Sequence, residues 1–173
     1  PEILTIKQIN FANIDEVAAE AGKFDFILAD LGVSSMQIDN PERGFTYKVE
    51  GPLDLRLDPT KGISAAQRLQ DISKEELQGM LVENADEPYA YEIAEKIVNN
   101  TKRGKKIETT TQLKEAIEEA LMRVPEVKKA SEKDRKEAVK KSCQRVFQAL
   151  RIDVNNEYEV LHAFLEKLPD ILN

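Results

Sequence analysis

The sequence has 173 residues, of which 41% are hydrophobic and 33% are charged, and its net charge at neutral pH is −7. This composition predicts a folded chain with a sizeable core and argues against disorder. No apolar run approaches the roughly 18 residues that cross a bilayer and no signal peptide is recognisable, so we expect a cytoplasmic protein without a membrane segment. The single cysteine, Cys143, excludes an intrachain disulfide and a thiolate metal centre, and we expect no metal.

The first thirty residues predict a strand, a helix and a second strand. Residues 3–6 are β-prone, and residues 13–21 form a helical pattern that Gly22 ends. Residues 24–29 form an apolar run that is typical of a strand buried on both faces of a parallel sheet. This order predicts an α/β protein with a doubly wound sheet.

Asp30 follows the second predicted strand directly. In open α/β sheets, ligands bind beyond the carboxyl ends of the strands, so this carboxylate is a candidate site residue. The alternative is a turn former or helix cap, which is a common role for an aspartate in this position. Residues 32–62 then form a loop rich in Gly, Pro, Asp and Asn, and a loop of this length in a compact domain is usually functional.

The rest of the chain has helical patterns. Ser73 with Glu76 and Thr109 with Gln112 predict capped helix starts, and the first of these helices is expected over residues 74–84. Pro88 is expected in a first helical turn, and Pro125 is expected to end a helix. The apolar spacing over residues 146–168 predicts one long helix or two in sequence.

The charge is unevenly distributed along the chain. Residues 99–151 contain fifteen Lys or Arg and eight Asp or Glu, a net charge of +7, which leaves −14 on the remainder. A basic region of this kind would suit a polyanion such as RNA. The alternative is a set of solvated loop and helix faces.

A series of motifs in fixed order carries a family resemblance. These motifs are Asp30-Leu31-Gly32-Val33-Ser34-Ser35, Gln37, Asp39, Glu42-Arg43-Gly44-Phe45, residues 51–59, Ser64-Ala65-Ala66, and residues 145–157. With them the chain resembles the bacterial-type family of S-adenosylmethionine-dependent methyltransferases that modify the N4 amine of a cytidine in small-subunit ribosomal RNA. The resemblance extends from about residue 11 to residue 168.

The resemblance implies a Rossmann-like methyltransferase domain with a large helical insertion. We therefore expect residues 1–62 to belong to the methyltransferase domain, residues 63–142 to form an RNA-binding insertion, and residues 143–173 to return as a long helix. The family's glycine-rich loop, its second-strand acid and its closing strands have no counterpart here. We therefore expect a chain that is truncated at both ends and inactive by itself.

The resemblance also implies roles for individual residues. Phe11, Asp30 and Gln37 match positions that hold S-adenosylmethionine. Asp30 is also the candidate catalytic residue, because its carboxylate, or the Leu31 carbonyl, would orient the cytidine amine toward the methyl group. Whether Asp30 acts as the base or as a ligand of the cofactor is open.

Four further residues are candidates for substrate binding: Arg43, Asp54, Arg56 and Arg151. Arginine pairs with phosphates and base edges, and the alternative is an internal Arg–Asp network that fixes the long loop. Phe45 and Tyr47 would either stack on an unpaired base or anchor the loop.

Two further hypotheses belong to other classes. In the first, the chain is a non-catalytic helical RNA-binding module. In the second, it is a nucleotide-dependent α/β enzyme of another kind. The partner that we expect is small-subunit ribosomal RNA, and the sequence leaves a monomer and a homodimer open.

Overall fold

The computed structural model describes residues 3–173, which form two compact units. One comprises residues 3–32 together with Asn156–Asn173, and the other comprises Val33–Asn155. Residues 1 and 2, which begin the predicted domain 1–62, lie outside the described residues. Compactness divides the chain after residues 32 and 155, whereas the sequence predicts domain boundaries at 62 and 142. Those domains stay a prediction.

The first unit is built around two helices and a short 3-10 helix, Phe11–Asn13. Helix α1 (Ile14–Ala21) and the 3-10 helix both pack against helix α9 (Glu157–Ile171). The helix that the sequence predicts over residues 13–21 is confirmed, and it ends at Gly22, which adopts φ 89°. A side chain would strain this backbone conformation, so glycine suits the position.

The two predicted strands do not form in the described residues. Phe24 makes one parallel bridge, to Leu172, and residues 25–29 make none. Phe26 and Leu28, which we expected to be buried, are 77% and 82% exposed. A strand is stabilised by a hydrogen-bonded neighbour. For the run at residues 24–29, the described chain supplies such a neighbour only at Phe24. The expected doubly wound sheet is therefore not present in this part of the chain.

The second unit is helical. After α2 (Ser35–Ile38) and the 3-10 helix Pro41–Arg43, its helices are α3 (Ala65–Asp71), α4 (Lys74–Ala85), α5 (Ala90–Lys102), α6 (Thr110–Leu121), α7 (Pro125–Lys129) and α8 (Glu132–Val154). Helices α5 and α8 each pack against α4 and α6. Their shared core contains Leu77, Leu81, Ile93, Ile97, Leu113, Ile117, Leu121 and Leu150, all fully buried.

The helix starts follow the predicted capping residues. Thr109 and Gln112 form a complete capping box at α6. Ser73 accepts a hydrogen bond from the Glu76 backbone N–H at α4, but the Glu76 carboxylate pairs with Arg68, at 2.5 Å, instead of returning to the cap. Pro125 does not end a helix as predicted: α6 ends at Leu121, and Pro125 is the first residue of α7, where its missing N–H costs nothing.

A buried carboxylate explains a second difference, at Pro88. Helix α5 begins at Ala90, two residues later than the prediction that places Pro88 in its first turn. Glu87 is buried, and its Oε1 accepts hydrogen bonds from the Tyr89 N–H (3.1 Å) and the Ser142 hydroxyl (2.9 Å). The carboxylate thus satisfies a backbone donor just before the helix.

The apolar pattern over residues 146–168 belongs to two helices. Helix α8 ends at Val154, and α9 begins at Glu157 after Asn156, which adopts a left-handed conformation (φ 48°). Asparagine tolerates this region better than most residues, which locates the break. None of the helices within residues 3–173 has the length and apolar character to cross a bilayer.

Candidate active site

Asp30, the candidate catalytic residue, lies on an exposed segment without regular structure. Its carboxylate is accessible, and Gly32, two residues later, adopts φ 109°. No atom outside its chain neighbours lies within 4 Å of a Cβ built on Gly32, so its backbone is open to close approach. The acid and the glycine that the motif predicted are thus both accessible in the first unit.

Phe11 belongs to the same unit. Its ring meets the buried Phe164 edge-on, with centroids 5.4 Å apart, and 39% of the residue remains exposed. Lys167 fixes the surrounding turn, since its ammonium donates to the Ala12 carbonyl and pairs with Asp15, both at 2.6 Å. Phe11 therefore combines an anchored edge with an accessible apolar surface, which would suit a flat aromatic ligand.

Gln37 lies in the second unit and takes part in a helix cap. Its Oε1 accepts from the Ser34 backbone N–H (2.9 Å), while Ser34 Oγ accepts from the Gln37 N–H (3.3 Å). This capping box holds the four-residue helix α2. The amide oxygen is therefore engaged within the chain.

Asp54 and Arg56 form a bidentate ion pair in the long loop. Arg56 Nε lies 2.6 Å from Asp54 Oδ1, and one terminal nitrogen lies 2.9 Å from Oδ2. The hydrogen bond from Arg56 holds the pKa of Asp54 below its usual range, and the same contact raises the pKa of Arg56. Arg56 also donates to the carbonyls of Lys61 and Gly62, so its side chain links Asp54 to the end of the long loop.

Arg43 also makes internal contacts. Its guanidinium donates to the carbonyls of Arg56 (3.1 Å) and Leu57 (2.9 Å), and lies 5.8 Å from the centre of the Phe45 ring. These contacts agree with the internal Arg–Asp network that was the alternative to substrate binding. The substrate-binding roles of Arg43, Asp54 and Arg56 stay predictions.

Asn155 connects the loop to the end of α8, close to the fourth candidate, Arg151. The Asn155 Oδ1 accepts a hydrogen bond from the Leu57 N–H (2.7 Å), and the Asn155 Nδ2 donates to the carbonyls of Leu55 and Arg151, both at 2.8 Å. Leu55 is buried and adopts a left-handed conformation (φ 63°), which costs a leucine free energy. The three hydrogen bonds of Asn155 offset that cost. The sequence pattern did not single out this role.

Two glycines allow the loop to pack backbone against backbone. A Cβ on Gly44 would lie 2.4 Å from the Pro52 carbonyl oxygen, and a Cβ on Gly51 would lie 2.1 Å from the Pro41 carbonyl oxygen. Phe45 and Tyr47 pack against the core, with the Tyr47 ring centroid 5.4 Å from that of Phe147. Both aromatic residues are thus partly buried against the core, which agrees with the interpretation that they anchor the loop, while base stacking by their exposed surface stays a prediction.

The Asp54–Arg56 pair predicts a pH dependence of stability. Because the folded-state pKa of Asp54 is lowered, the pair stabilises the fold above the ordinary pKa of 3.8, and this stabilisation is lost as pH falls through the folded-state pKa. Asp54→Asn is expected to lower the free energy of unfolding by about 1 kcal/mol at neutral pH, because the pair is partly screened by solvent. Urea unfolding at several pH values should show this difference shrinking toward acid pH. A constant difference would contradict the prediction.

Comparison with known proteins shows where this segment belongs. The sequence profile of the MraW methylase family matches residues 2–173. The chain belongs to the MraW methylase family. This confirms the resemblance carried by the motifs, and membership of a methyltransferase family implies a Rossmann-like fold and S-adenosylmethionine as the general methyl donor.

Several curated relatives cover the chain almost completely. It is 67% identical over 172 residues to "Ribosomal RNA small subunit methyltransferase H 1" of Lachnoclostridium phytofermentans, a match of 99% of this chain and 45% of the relative. The protein of the same name from Agathobacter rectalis is 63% identical over 171 residues, with 99% and 47% covered. The Halorhodospira halophila relative is 40% identical over 171 residues, with 97% and 49% covered. The chain thus spans about half the length of these MraW relatives.

Proposed function

We propose that the enzyme to which this segment belongs transfers a methyl group from S-adenosylmethionine to the N4 amine of a cytidine in small-subunit ribosomal RNA. The observation that carries the proposal is the match of 99% of this chain to relatives named as small-subunit ribosomal RNA methyltransferases. The ordered motifs from Asp30 to Asn155 lie within this match and agree with it.

The residues present suit the methyl donor. S-adenosylmethionine supplies a methyl group on a positively charged sulfur. The exposed Asp30 carboxylate offers hydrogen-bond acceptors, and the accessible side of Phe11 offers apolar surface. Gln37 would contribute through its amide NH2, since its oxygen holds the α2 cap.

The chain's own contribution to the reaction is orientation and proton acceptance. The lone pair of the cytidine amine is delocalised into the ring, so the amine is a weak nucleophile. An acceptor that hydrogen-bonds its two protons, the Asp30 carboxylate or the Leu31 carbonyl, would localise the lone pair and aim it at the methyl group. Asp30 would then accept the proton that leaves the amine.

The helical unit would bind the RNA substrate. Residues 99–151 carry a net charge of +7, and Lys102, Lys105, Lys106 and Lys140 are among their exposed cations. Cations that contact phosphates release counterions from the RNA, which gives affinity without base specificity.

A segment exchange tests the proposal. Residues 2–173 would replace the matching segment of the full-length Lachnoclostridium phytofermentans relative. The hybrid would be incubated with labelled S-adenosylmethionine and small ribosomal subunits that lack the modification. We expect N4-methylcytidine by nucleoside mass spectrometry. Methylation of another base or of protein by a folded hybrid would overturn the proposal.

A second candidate is a helical RNA-binding module that does no catalysis. The observations that favour it are the extensive buried core of the helical unit and the net charge of +7 on residues 99–151. Calorimetry of this chain with S-adenosylmethionine and a salt-dependent RNA titration test this candidate together with the segment exchange. Micromolar affinity for the methyl donor would argue against a pure binding module, whereas RNA binding by the chain together with a folded but inactive hybrid would favour it.

A further inference from the structure

An open cleft of about 500 Å³ lies in the helical unit. Helices α6 and α8 and the loop residue Tyr47 line it, and its surface is mainly apolar. Its apolar lining residues are Tyr47, Met122, Val139 and Cys143. Such a cleft can take a flat apolar group the size of a nucleobase, for which a tyrosine ring is a suitable contact.

The lining of the cleft also contains charged residues. Its cations are Lys114, Arg135, Lys136 and Lys140, and its acids are Glu118 and Glu132. The lysines make weak ion pairs within their own helices. Lys136 pairs with Glu132 at 2.6 Å with both side chains more than three-quarters exposed, and Lys114 lies 3.8 Å from Glu118. Exposed pairs of this kind contribute little, so a phosphate can replace the carboxylate at small cost.

Arg135 adds an unsatisfied donor to the wall of the cleft. One terminal nitrogen donates to the Ala130 carbonyl (3.2 Å), while its Nε is buried and has no hydrogen-bond partner in the part of the chain that the structure describes. A buried donor without a partner costs free energy. Because Nε is buried, Arg135 contributes to the cleft through its positive charge and not through this donor.

We propose that this cleft, the Tyr47 cleft, binds an unpaired nucleotide of the RNA substrate, with the base against Tyr47 and the backbone phosphates at Lys136 and Lys140. The inference rests on the proposed function in taking RNA as the substrate. The combination of a mainly apolar surface with four cationic lining residues carries it, because an unpaired nucleotide offers both a flat base and a phosphate. A paired base would remain stacked in its helix and could not enter.

The cleft binds and does not react. Cys143, the only cysteine in the sequence, is buried there, and burial raises the pKa of its thiol to about 12. The thiolate population at neutral pH is therefore negligible, and the thiol serves as packing surface.

The test is a titration of this chain with a short single-stranded RNA and with a hairpin of the same composition, at two or more salt concentrations. The wild type is expected to prefer the single strand. Tyr47→Leu should weaken single-strand binding about tenfold or more, whereas Tyr47→Phe, which keeps the ring, should bind like the wild type. Met122→Glu, which adds a negative charge to the cleft, should weaken binding without touching the Tyr47 anchor.

Charge variants on α8 locate the phosphates. Lys136→Gln and Lys140→Gln should each lower the slope of log affinity against log salt by about 0.7, the single-strand value for one contact. Lys133→Gln is the matched control, because Lys133 is exposed on the same helix and does not line the cleft. Circular dichroism melts establish that each variant is folded.

The outcomes separate the two proposals. If the wild type binds single-stranded RNA and folded Tyr47→Leu and Met122→Glu bind equally well, the Tyr47 cleft is not a nucleotide site, and the proposed function is unaffected. If the wild type binds neither RNA at low salt, the RNA-binding part of the proposed function fails together with the cleft. Equal loss in Lys133→Gln would indicate a diffuse basic surface and would overturn the cleft proposal.

Discussion

Replacing Asp30 by alanine in the full-length hybrid enzyme is expected to reduce methyl transfer to small ribosomal subunits at least a hundredfold. In the proposed reaction the substitution removes the acceptor that would orient the amine and receive its proton, and each of these contributions is typically worth about two orders of magnitude. Because Asp30 is exposed and unsupported by a sheet in this segment, its loss should leave the stability of the chain unchanged. Unchanged stability of the variant would show that its lost activity does not result from unfolding.

Two further variants sharpen the test of Asp30. Asp30→Asn keeps one acceptor oxygen and loses the charge, so it should retain orientation and lose proton acceptance, with a smaller loss of rate than alanine. Asp71→Ala, an exposed aspartate at the end of α3 and outside the motif, should have wild-type activity. Single-turnover assays with saturating cofactor report the methyl-transfer step. Near-normal activity of Asp30→Ala would remove this residue from the site.

The helices could be predicted from the sequence because their signals are local. Thr109 with Gln112 forms the expected capping box, and Ile93 with Ile97 forms a buried stripe at helical spacing. Such patterns depend on residues three or four positions apart, which a single sequence displays. The start of α5 was misjudged, because the deciding carboxylate, Glu87, is held by Ser142, a contact across 55 residues.

The strands could not be predicted in the same way. The apolar run at residues 24–29 indicates how these side chains prefer to be buried, but a strand also needs a hydrogen-bonded neighbour. Within residues 24–29 only Phe24 has one among the described residues. The run therefore forms no regular strand and is largely exposed.

For the candidate site, too, the sequence indicated the residues but not their contacts. Motif order located the residues, and the structure gives three of them, Arg43, Asp54 and Arg56, hydrogen bonds within the loop. The link through Asn155 could not be predicted, because it joins Leu55 to a residue one hundred positions later. The left-handed conformation of a buried leucine also has no sequence signature.

Gly51→Ala is expected to lower the free energy of unfolding by about 2–4 kcal/mol, a large effect for one methyl group. The added Cβ would lie 2.1 Å from the Pro41 carbonyl oxygen and 2.9 Å from its carbon, and backbone atoms cannot rotate away. Gly51 cannot retreat either. Its N–H donates to Thr110 Oγ (3.2 Å), and its carbonyl accepts from the Thr110 N–H (3.0 Å).

Gly79→Ala is the matched control for Gly51→Ala. Gly79 lies inside α4, and a Cβ built there would meet nothing within 4 Å, so alanine should stabilise the chain by about 0.5–1 kcal/mol through its helix propensity. The same chemical change thus has opposite expected signs at two positions, which urea unfolding of both variants measures directly. Because Gly51 precedes the segment that carries Asp54 and Arg56, the loop in Gly51→Ala must either shift or unfold. Wild-type stability of this variant would mean that the contact with Pro41 yields easily and does not fix the loop.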